Sequence, residues 1–320
     1  MPMKYGRIKG INKDISRIIL GGMILQPDTN GSIERAFSIM DEALDAGINI
    51  IDSARVYGAS ESTIGKWMKE RGNREELIVF TKGCHHNEER RRLLPDDISE
   101  DIDISLKEMQ INNIDLYMLH RDDPEVPVKL IIDRLNKHIS EGTIKAIGGS
   151  NWSHTRIAEA NAYADANGLV PFAVSSPHYS LAIMVKEPWA ECLSISGPEH
   201  ADARKWYADN KMPVFAFSSI AMGLFSGRFT SASYTPDTTA VNDTCKHSYC
   251  YPVNFKRLDK AFELAEKKGV TVAQLALAFC FASDMDIYAL LGCETREEMD
   301  SAIKAFDVSI TSEEAAWLTD

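Results

Sequence analysis

Four side chains that can carry charge or move a proton follow short apolar runs in the first half of the chain. Asp52 comes directly after the run INII, Lys82 after LIVFT and His120 after IDLYML, while Tyr57 lies five residues beyond Asp52. Short apolar runs bounded by polar residues are typical of strands buried on both faces. A phenol beside an ammonium, a carboxylate and an imidazole is a set that suits general acid–base catalysis.

The rest of the chain alternates between short apolar runs and stretches with helical spacing. Two short strands, residues 3–10 and 14–22, are predicted at the start. The predicted barrel strands cover residues 18–22, 48–51, 77–81, 114–119, 143–149, 172–176, 214–218 and 287–291. The predicted helices begin at or near Ser32, Ser60, Asp97, Val128, Ser153, Phe255, Val272, Glu297 and Glu313, with Ser60 as an N-cap.

This alternation predicts an α/β fold with a parallel sheet. Eight strand–helix units in 320 residues favour a closed (β/α)8 barrel, the TIM barrel, over a doubly wound sheet, and no GxGxxG loop follows a predicted strand. We predict a single barrel domain over residues 1–320. Long loops are expected at its carboxyl face, at residues 84–95, 121–127, 179–198 and 226–252.

In such a barrel the carboxyl ends of the strands converge on one face. Taken singly, each of the four side chains has an ordinary structural explanation: Asp52 as a helix cap, Tyr57 as a packed loop aromatic, Lys82 as a solvated strand end, His120 as a hydrogen-bonded core histidine. Their recurrence at three successive strand ends favours one shared site instead.

The composition excludes several classes of partner. A net charge of −12, with only the short basic run RRR at residues 90–92, argues against nucleic acid and anionic membranes. The first ten residues lack the apolar core of a secretory signal, and no run of about 18 apolar residues predicts a membrane span. Six scattered cysteines are typical of reduced thiols, so we expect a cytoplasmic protein.

Five blocks of the sequence, in order along almost the whole chain, resemble the aldo-keto reductase family. They are AGINIIDSARVYGASESTIGKW, VFTKG, IDLYMLHRDDP, GTIKAIGGSNW and FAFSSIAMGLFSGR. The resemblance implies an enzyme that reduces an aldehyde or ketone to an alcohol by hydride transfer from a nicotinamide cofactor. It also implies a catalytic tetrad of Asp52, Tyr57, Lys82 and His120.

The chemistry of these four residues is consistent with that implication. A free phenol, with a pKa near 10, is a poor acid near neutrality, and a neighbouring ammonium makes it a better one. Lys82 fits this role beside Tyr57, and Asp52 can pair with Lys82 and hold it in place. His120 can donate a hydrogen bond to the carbonyl oxygen of the substrate.

The resemblance further implies which residues hold the cofactor. Ser150 and Asn151 would bind the nicotinamide carboxamide, and Phe217 would stack on the ring. The remaining implied contacts are Ser176 near the carboxamide, Ser218, Ile220, Gly223 and Leu224 at the pyrophosphate, and Gly292, Thr295 and Arg296 at the adenosine phosphate.

Three positions depart from the family pattern. Ser176 stands where the family often has glutamine. Glu294 and Glu298 stand where relatives commonly carry basic, hydroxyl or amide residues facing the 2′-phosphate of the adenosine, and Arg296 can offset their repulsion of that phosphate. We therefore expect NADP(H) to be favoured over the alternative, NAD(H), by less than about a hundredfold.

Two other functions compete with this interpretation. The family includes cofactor-binding barrels with little turnover, such as potassium-channel beta subunits. A metal-dependent hydrolase would use His120, the adjacent His85 and His86, and the pair Asp122 and Asp123. Adjacent residues rarely converge on one ion, and no partner pair at zinc spacing accompanies them, so we predict no metal site. The mixed polar and aromatic loops favour a small polar carbonyl substrate, such as one derived from a sugar, over a steroid.

Overall fold

The computed structural model describes residues 2–320, and its parallel strands close into a barrel as predicted. The order around the barrel is β10–β3–β4–β5–β6–β7–β8–β9. These strands are β3 (Ile18–Gly21), β4 (Ile50–Asp52), β5 (Ile78–Gly83), β6 (Ile114–Leu119), β7 (Ile144–Ser150), β8 (Val174–Ser176), β9 (Val214–Ala216) and β10 (Ile287–Leu291).

Burial on both faces explains why these stretches form strands. Every residue of β4, β5, β6, β8, β9 and β10 is buried. A strand that is covered on both sides by side chains of the barrel interior and of the surrounding helices reads as a continuous apolar run rather than an alternating one. The predicted bounds of β6 and β10 are confirmed, and the other predicted barrel strands are offset by one or two residues at one or both ends.

Helices follow or connect the strands. Their bounds are α1 (Glu34–Asp45), α2 (Ser60–Arg71), α3 (Pro95–Met109), α4 (Val128–Ser140), α5 (His154–Ala166), α6 (Ala201–Asp209), α7 (Asp243–Tyr249), α8 (Pro252–Lys268), α9 (Val272–Phe281), α10 (Arg296–Lys304) and α11 (Ser312–Thr319). No helix within residues 2–320 is long and apolar enough to span a membrane.

The predicted lengths of the two opening strands were wrong. The two opening strands are only two residues each, β1 (Tyr5–Gly6) and β2 (Ile15–Ser16), and they pair antiparallel. The barrel strand β3 is separate and begins two residues after β2 ends. The alternation of apolar and polar residues does not reveal this break, because Ile15 and Ile18 are both fully buried on either side of it.

The predicted loop at residues 226–252 was also wrong in part, because it contains α7. The side chain of Asn242 caps this short helix by accepting a hydrogen bond from the backbone N–H of Cys245, at 2.8 Å. Seven residues are too few to show a clear apolar period, so the N-cap is the main local signal. The connection after β8 similarly contains α6, which was not predicted.

By contact density the described residues fall into two compact units. One comprises Tyr5–Ser176 and Gly292–Arg296, and we call it the tetrad unit because it contains Asp52, Tyr57, Lys82 and His120. The other comprises Pro177–Leu291 and Glu297–Asp320, with the short segment before Tyr5, and contains β9 and β10. That all of residues 1–320 form one domain stays a prediction.

Gly22 shows how closely the backbone packs beside Asp52. A Cβ atom at this position would lie 2.0 Å from the carbonyl oxygen of Asp52 and 2.9 Å from the hydroxyl of Ser60. Only glycine fits there without moving backbone, so the end of β3 can lie directly against the end of β4. The close packing of backbone beside Asp52 therefore requires glycine at position 22.

Candidate active site

The four side chains singled out in the sequence lie together in the tetrad unit. Asp52 is the last residue of β4, Lys82 is the penultimate residue of β5, and His120 directly follows β6. Their exposures are 4%, 2% and 7%. Tyr57, on the connection between β4 and α2, is partly exposed. The Tyr57 hydroxyl can therefore contact a small molecule, while Asp52, Lys82 and His120 remain shielded from solvent.

Lys82 is the centre of the hydrogen bonds in this group. Its Nζ atom donates to the carboxylate of Asp52 and, at 3.0 Å, to the carbonyl oxygen of Ser53. The same nitrogen is 3.5 Å from the hydroxyl oxygen of Tyr57 and 4.8 Å from the centre of its ring. The ammonium is thus fixed by two acceptors and held beside the phenol.

Burial perturbs both members of the Lys82–Asp52 pair. Burial raises the pKa of Asp52, and the charge and hydrogen bond of Lys82 offset part of that rise. Burial likewise lowers the pKa of Lys82, against the opposing effect of Asp52. A buried ion pair is weak evidence of stability, since desolvation consumes much of the attraction. A buried pair whose pKa values are both perturbed, placed at strand ends, is more typical of a functional site.

His120 is neutral at pH 7. Burial lowers its pKa well below the ordinary value, and the positive charges of Lys82 and Arg121 lower it further. Its ring meets the ring of Tyr57 edge-on, with centroids 5.7 Å apart, and that of His85 at 4.9 Å. Within residues 2–320 its Nδ1 atom has no hydrogen-bond partner, which suits a group that binds a ligand.

The predicted carboxamide residues lie together at the ends of β7 and β8, also in the tetrad unit. The Ser150 hydroxyl donates to the carbonyl oxygen of Ser176 at 3.1 Å, and the Asn151 N–H donates to the same oxygen at 3.1 Å. The side-chain amide of Asn151 donates to Ser150 and to the carbonyl oxygen of His120, each at 3.2 Å. The structure therefore brings Ser150, Asn151 and Ser176 together and ties them to the backbone of His120.

Strained backbone marks the ends of these strands. Cys84 and Asn151 both have φ near 60°, in the left-handed region that non-glycine residues rarely adopt. Cys84 directly follows β5 and Asn151 directly follows β7. Such strain clusters at sites where function requires a particular backbone geometry.

The other unit contains Phe217, predicted to stack on the nicotinamide ring, and the segment predicted to bind pyrophosphate, from Ser218 to Leu224. Ser218, Ala221, Met222 and Gly223 all have positive φ, between 52° and 96°. A run of such residues can turn successive N–H groups to one side and form an anion-binding concavity. The N–H groups of Gly223 and Leu224 donate to Ile220 and Ala221 within the loop, so a phosphate would have to share them.

Phe217 itself packs on His178 within this second unit, with ring centroids 5.7 Å apart. His178 is fully buried between two hydroxyl groups. Its Nδ1 is 2.8 Å from the oxygen of Ser194 and its Nε2 is 3.1 Å from that of Ser180. Sequence reasoning did not single out His178, and only its place two residues after β8 marks it.

The segment Gly292–Arg296 follows β10, and Arg296 begins α10. Thr295 is exposed and Arg296 is half-buried. Glu294, which the sequence suggests would repel a phosphate, forms an ion pair with Arg35 of α1 in the same unit. In the other unit Glu298 accepts a hydrogen bond from Arg228 at 2.9 Å. Neither arginine was anticipated as a partner.

Ser60 does not act as the N-cap of α2, so that prediction was wrong. Ala59 occupies the cap position without a side-chain bond, and its N–H donates to the side chain of Gln26 at 2.9 Å. The Ser60 hydroxyl is buried and lies 2.9 Å from the hydroxyl of Ser53. A polar residue beside the tetrad thus binds across to the strand end instead of capping its own helix.

The two aspartates of the rival hydrolase site form ion pairs with arginines. Asp122 pairs with Arg156 at 3.3 Å, and Asp123 lies 3.6 Å from Arg91. Burial and the nearby carboxylate of Asp101 raise the pKa of the Cys84 thiol well above its usual range. In the part of the chain that the structure describes, no group of three or more His, Cys, Asp or Glu residues is arranged to hold a metal ion.

Comparisons with known proteins bear on the whole chain. The model of the aldo/keto reductase family matches residues 17–320. The oxidoreductase YrpG of Bacillus subtilis is 28% identical, over 99% of this chain and 95% of that protein. The aldo-keto reductase yakc [NADP(+)] of Schizosaccharomyces pombe is 28% identical, over 94% of this chain and 86% of that protein.

A solved structure is similar along the same length. The glycerol dehydrogenase AKR11B4 of Gluconobacter oxydans superimposes with a TM-score of 0.78 at 25% identity, covering 99% of this chain and 94% of that one. The resemblance first noted in five sequence blocks is therefore confirmed by a match that covers 304 of the 320 residues, 17 to 320 inclusive. The chain belongs to the aldo/keto reductase family.

Proposed function

We propose that this protein reduces an aldehyde or ketone to an alcohol, with Tyr57 as the general acid. The observation that carries the proposal is the position of Lys82, which is bonded to Asp52 and lies 3.5 Å from the Tyr57 hydroxyl. When bound, a nicotinamide cofactor supplies the hydride. The residues of this chain must then orient the carbonyl and deliver a proton to its oxygen.

The Lys82–Tyr57 distance is short enough to change the acidity of the phenol. At an effective dielectric constant of about 20, unit charges 3.5 Å apart attract by roughly 5 kcal/mol. Asp52 offsets part of that attraction, since it neutralises the ammonium from the other side. The remaining stabilisation of the phenolate makes Tyr57 a better proton donor near neutrality than a free phenol.

His120 and Asp52 have supporting parts in this proposal. A neutral His120 donates one N–H to the carbonyl oxygen and so fixes which oxygen Tyr57 protonates. Asp52 holds Lys82 in one rotamer and keeps an otherwise isolated buried ammonium paired. Tyr57 is the only one of the four that is substantially accessible, so it is the group that delivers the proton.

The described residues fit a nicotinamide cofactor. Ser150, Asn151 and Ser176 form a cluster of hydroxyl and amide groups for a carboxamide, next to the backbone of His120. We propose that Phe217 stacks on the ring and that Ser218, Ile220, Gly223 and Leu224 bind the pyrophosphate, which the left-handed backbone of that loop supports. Gly292, Thr295 and Arg296 are assigned to the adenosine phosphate.

NADP(H) is the cofactor that we propose, with NAD(H) as the alternative. Pairing of Glu294 with Arg35 removes much of the repulsion that the sequence suggested, and one relative is named for NADP(+). For the substrate we propose a small polar carbonyl compound, such as one derived from a sugar. The similar solved structure is named as a glycerol dehydrogenase, and oxidation of glycerol, a small polyol, gives a carbonyl compound of the proposed kind.

Two measurements test the proposal. Fluorescence titration with NADPH and NADH gives cofactor affinity, and cofactor consumption with glyceraldehyde, a linear aldehyde, an aromatic aldehyde and a ketone gives turnover. We expect saturable binding and consumption that depends on the carbonyl. Binding with no turnover on any of these substrates would favour the regulatory-barrel alternative, and no binding would overturn both.

A further inference from the structure

A second buried carboxylate lies beside the tetrad and has no part in the reaction as proposed. Glu61, the second residue of α2, is 1% exposed. One of its oxygens accepts a hydrogen bond from the hydroxyl of Thr81 at 2.7 Å, and the other pairs with Nη1 of Arg55 at 2.5 Å. Both oxygens of a buried charge are therefore matched to specific donors.

The two donors are the neighbours of Lys82 and Tyr57. Thr81 directly precedes Lys82 in β5, and Arg55 lies two residues before Tyr57. The backbone N–H of Arg55 also donates to the carbonyl oxygen of Lys82 at 2.9 Å. Glu61 thus joins the strand that carries the ammonium to the turn that carries the phenol.

The Tyr57 segment is also joined to β5 at its start, where the N–H of Ser53 donates to the carbonyl oxygen of Phe80 and Lys82 donates to that of Ser53. Around Tyr57 the segment is shaped by its own bonds. It is a tight turn in which the N–H of Tyr57 donates to Ala54 and that of Ser60 donates to the carbonyl oxygen of Tyr57. On its outer side Gln26 donates to the same carbonyl oxygen at 2.7 Å. Those bonds shape the turn, whereas the bonds of Arg55 join it to the backbone of Lys82 and to the carboxylate of Glu61.

The charge of Glu61 also acts on Lys82. Burial lowers the pKa of Lys82, Asp52 opposes this most strongly, Arg121 adds to the lowering, and Glu61 opposes it. A neutral side chain at position 61 would keep an acceptor for Thr81 but would lose the ion pair with Arg55. Loss of that pair frees the turn, since Arg55 would then have a solvent-facing alternative.

We infer that Glu61 is a positioning residue, which fixes the separation of Tyr57 and Lys82 through Arg55 and Thr81. The inference rests on the proposed function, because it assigns to Glu61 the task of keeping the proton donor next to its ammonium. It predicts that turnover depends on Glu61 while cofactor affinity does not.

The first test compares three variants. Glu61→Gln should lower kcat by about tenfold to a hundredfold, the effect expected of a misplacement near the reacting groups, with cofactor affinity close to wild type. Thr81→Val, which has the same shape but no hydroxyl, should lower kcat in the same way. Thr81→Ser, which keeps the hydroxyl, should retain most of the kcat of the wild type. If serine and valine are equally damaging, position 81 matters for packing and the inference fails.

Asp115→Asn is the matched control. Asp115, at the start of β6 in the same unit, is 3% exposed and pairs with Arg74 and Lys145 at 2.9 and 2.7 Å. Removal of its charge should destabilise the protein without a specific loss of kcat. An equal fall in kcat in Asp115→Asn and Glu61→Gln would show general destabilisation and would overturn the inference.

Crystal structures of wild type and Thr81→Val provide a readout that needs no turnover. We expect the distance between the Lys82 Nζ and the Tyr57 hydroxyl to lengthen in the variant, and an unchanged distance would overturn the inference. If Tyr57→Phe turns over as fast as wild type, the proposed function fails instead, and this distance still decides whether Glu61 positions the pair. Thr81 variants also serve if Glu61→Gln does not fold.

Discussion

The Nζ atom of Lys82 lies 3.5 Å from the hydroxyl oxygen of Tyr57, although the two residues come from different strand–helix units. The same nitrogen is bonded to a buried carboxylate, so it cannot turn away to solvent without leaving that charge unpaired. This arrangement holds a positive charge beside a partly exposed phenol. It is the feature from which the proposed chemistry follows.

Lys82→Met is expected to abolish most turnover and to lower stability by about 3 kcal/mol, because it leaves the Asp52 carboxylate buried without its partner. Adding Asp52→Asn should recover part of that stability but none of the turnover, because the phenol still lacks its ammonium. Urea unfolding and cofactor consumption measure the two effects. Full rate in Lys82→Met, or turnover recovered in the double variant, would contradict the role given to Lys82.

Acid should destabilise the protein through its buried histidines. Burial lowers the pKa of His178 to about 3, whereas the unfolded chain titrates near the ordinary value of 6.5. The unfolded state therefore binds more protons between these values, and stability is lost as the pH falls through this window, by about 1.4 kcal/mol per pH unit for one histidine. His120 acts in the same direction, because burial also lowers its pKa.

His178→Gln isolates this contribution, since glutamine can bond to Ser194 and Ser180 but does not titrate. Between about pH 7 and pH 5 the variant should lose roughly 2 kcal/mol less unfolding free energy than wild type. Urea unfolding at each pH gives the values. Parallel pH curves for the two proteins would show that His178 is protonated in the folded state or exposed in solution.

Cofactor preference should depend on the exposed ion pair between Arg35 and Glu294. Arg35→Gln would leave Glu294 uncompensated and should weaken NADP(H) binding by about fivefold, the equivalent of roughly 1 kcal/mol for charges in wet surroundings. Glu294→Gln should strengthen it by a similar factor. NAD(H) lacks the phosphate and should respond to neither change. Titration of both cofactors by fluorescence measures these shifts.

Lys205→Gln controls for net charge, because Lys205 pairs with Asp209 on the surface of α6 and has no assigned part in binding. It should leave both affinities unchanged. If Arg35→Gln and Lys205→Gln behave alike, or if wild type already prefers NADP(H) by more than about a hundredfold, the 2′-phosphate does not lie near Glu294.

Much of the fold could be predicted from local sequence. The runs at β6 and β10 are largely apolar because they are covered on both faces, and α4 has a clear apolar stripe, so the bounds of the two strands and the start of the helix matched. That Asp52, Lys82 and His120 lie close together could also be anticipated, since each lies at or directly after the end of a buried strand. Their catalytic roles stay a prediction. Where the local signal was short, as in α7 and the two-residue strands β1 and β2, the prediction failed.

Pairs that are distant in sequence could not be predicted. Arg35 and Glu294 are 259 residues apart, and Arg228 and Glu298 are 70 apart. No local sequence pattern therefore predicts either ion pair. Glu61 lies in the first turn of α2, where an acid is common in any helix, so nothing in the sequence indicates a special role. Its burial and its bonds to Arg55 and Thr81 emerge only when α2 packs against β5.

The central claim is that Tyr57 gives the proton to the carbonyl oxygen, and Tyr57→Phe tests it most directly. The substitution keeps the ring and its contact with His120 but removes the hydroxyl. We predict cofactor affinity close to wild type and turnover reduced by roughly a hundredfold to ten-thousandfold, measured as carbonyl-dependent NADPH consumption. Turnover near that of wild type would contradict the account.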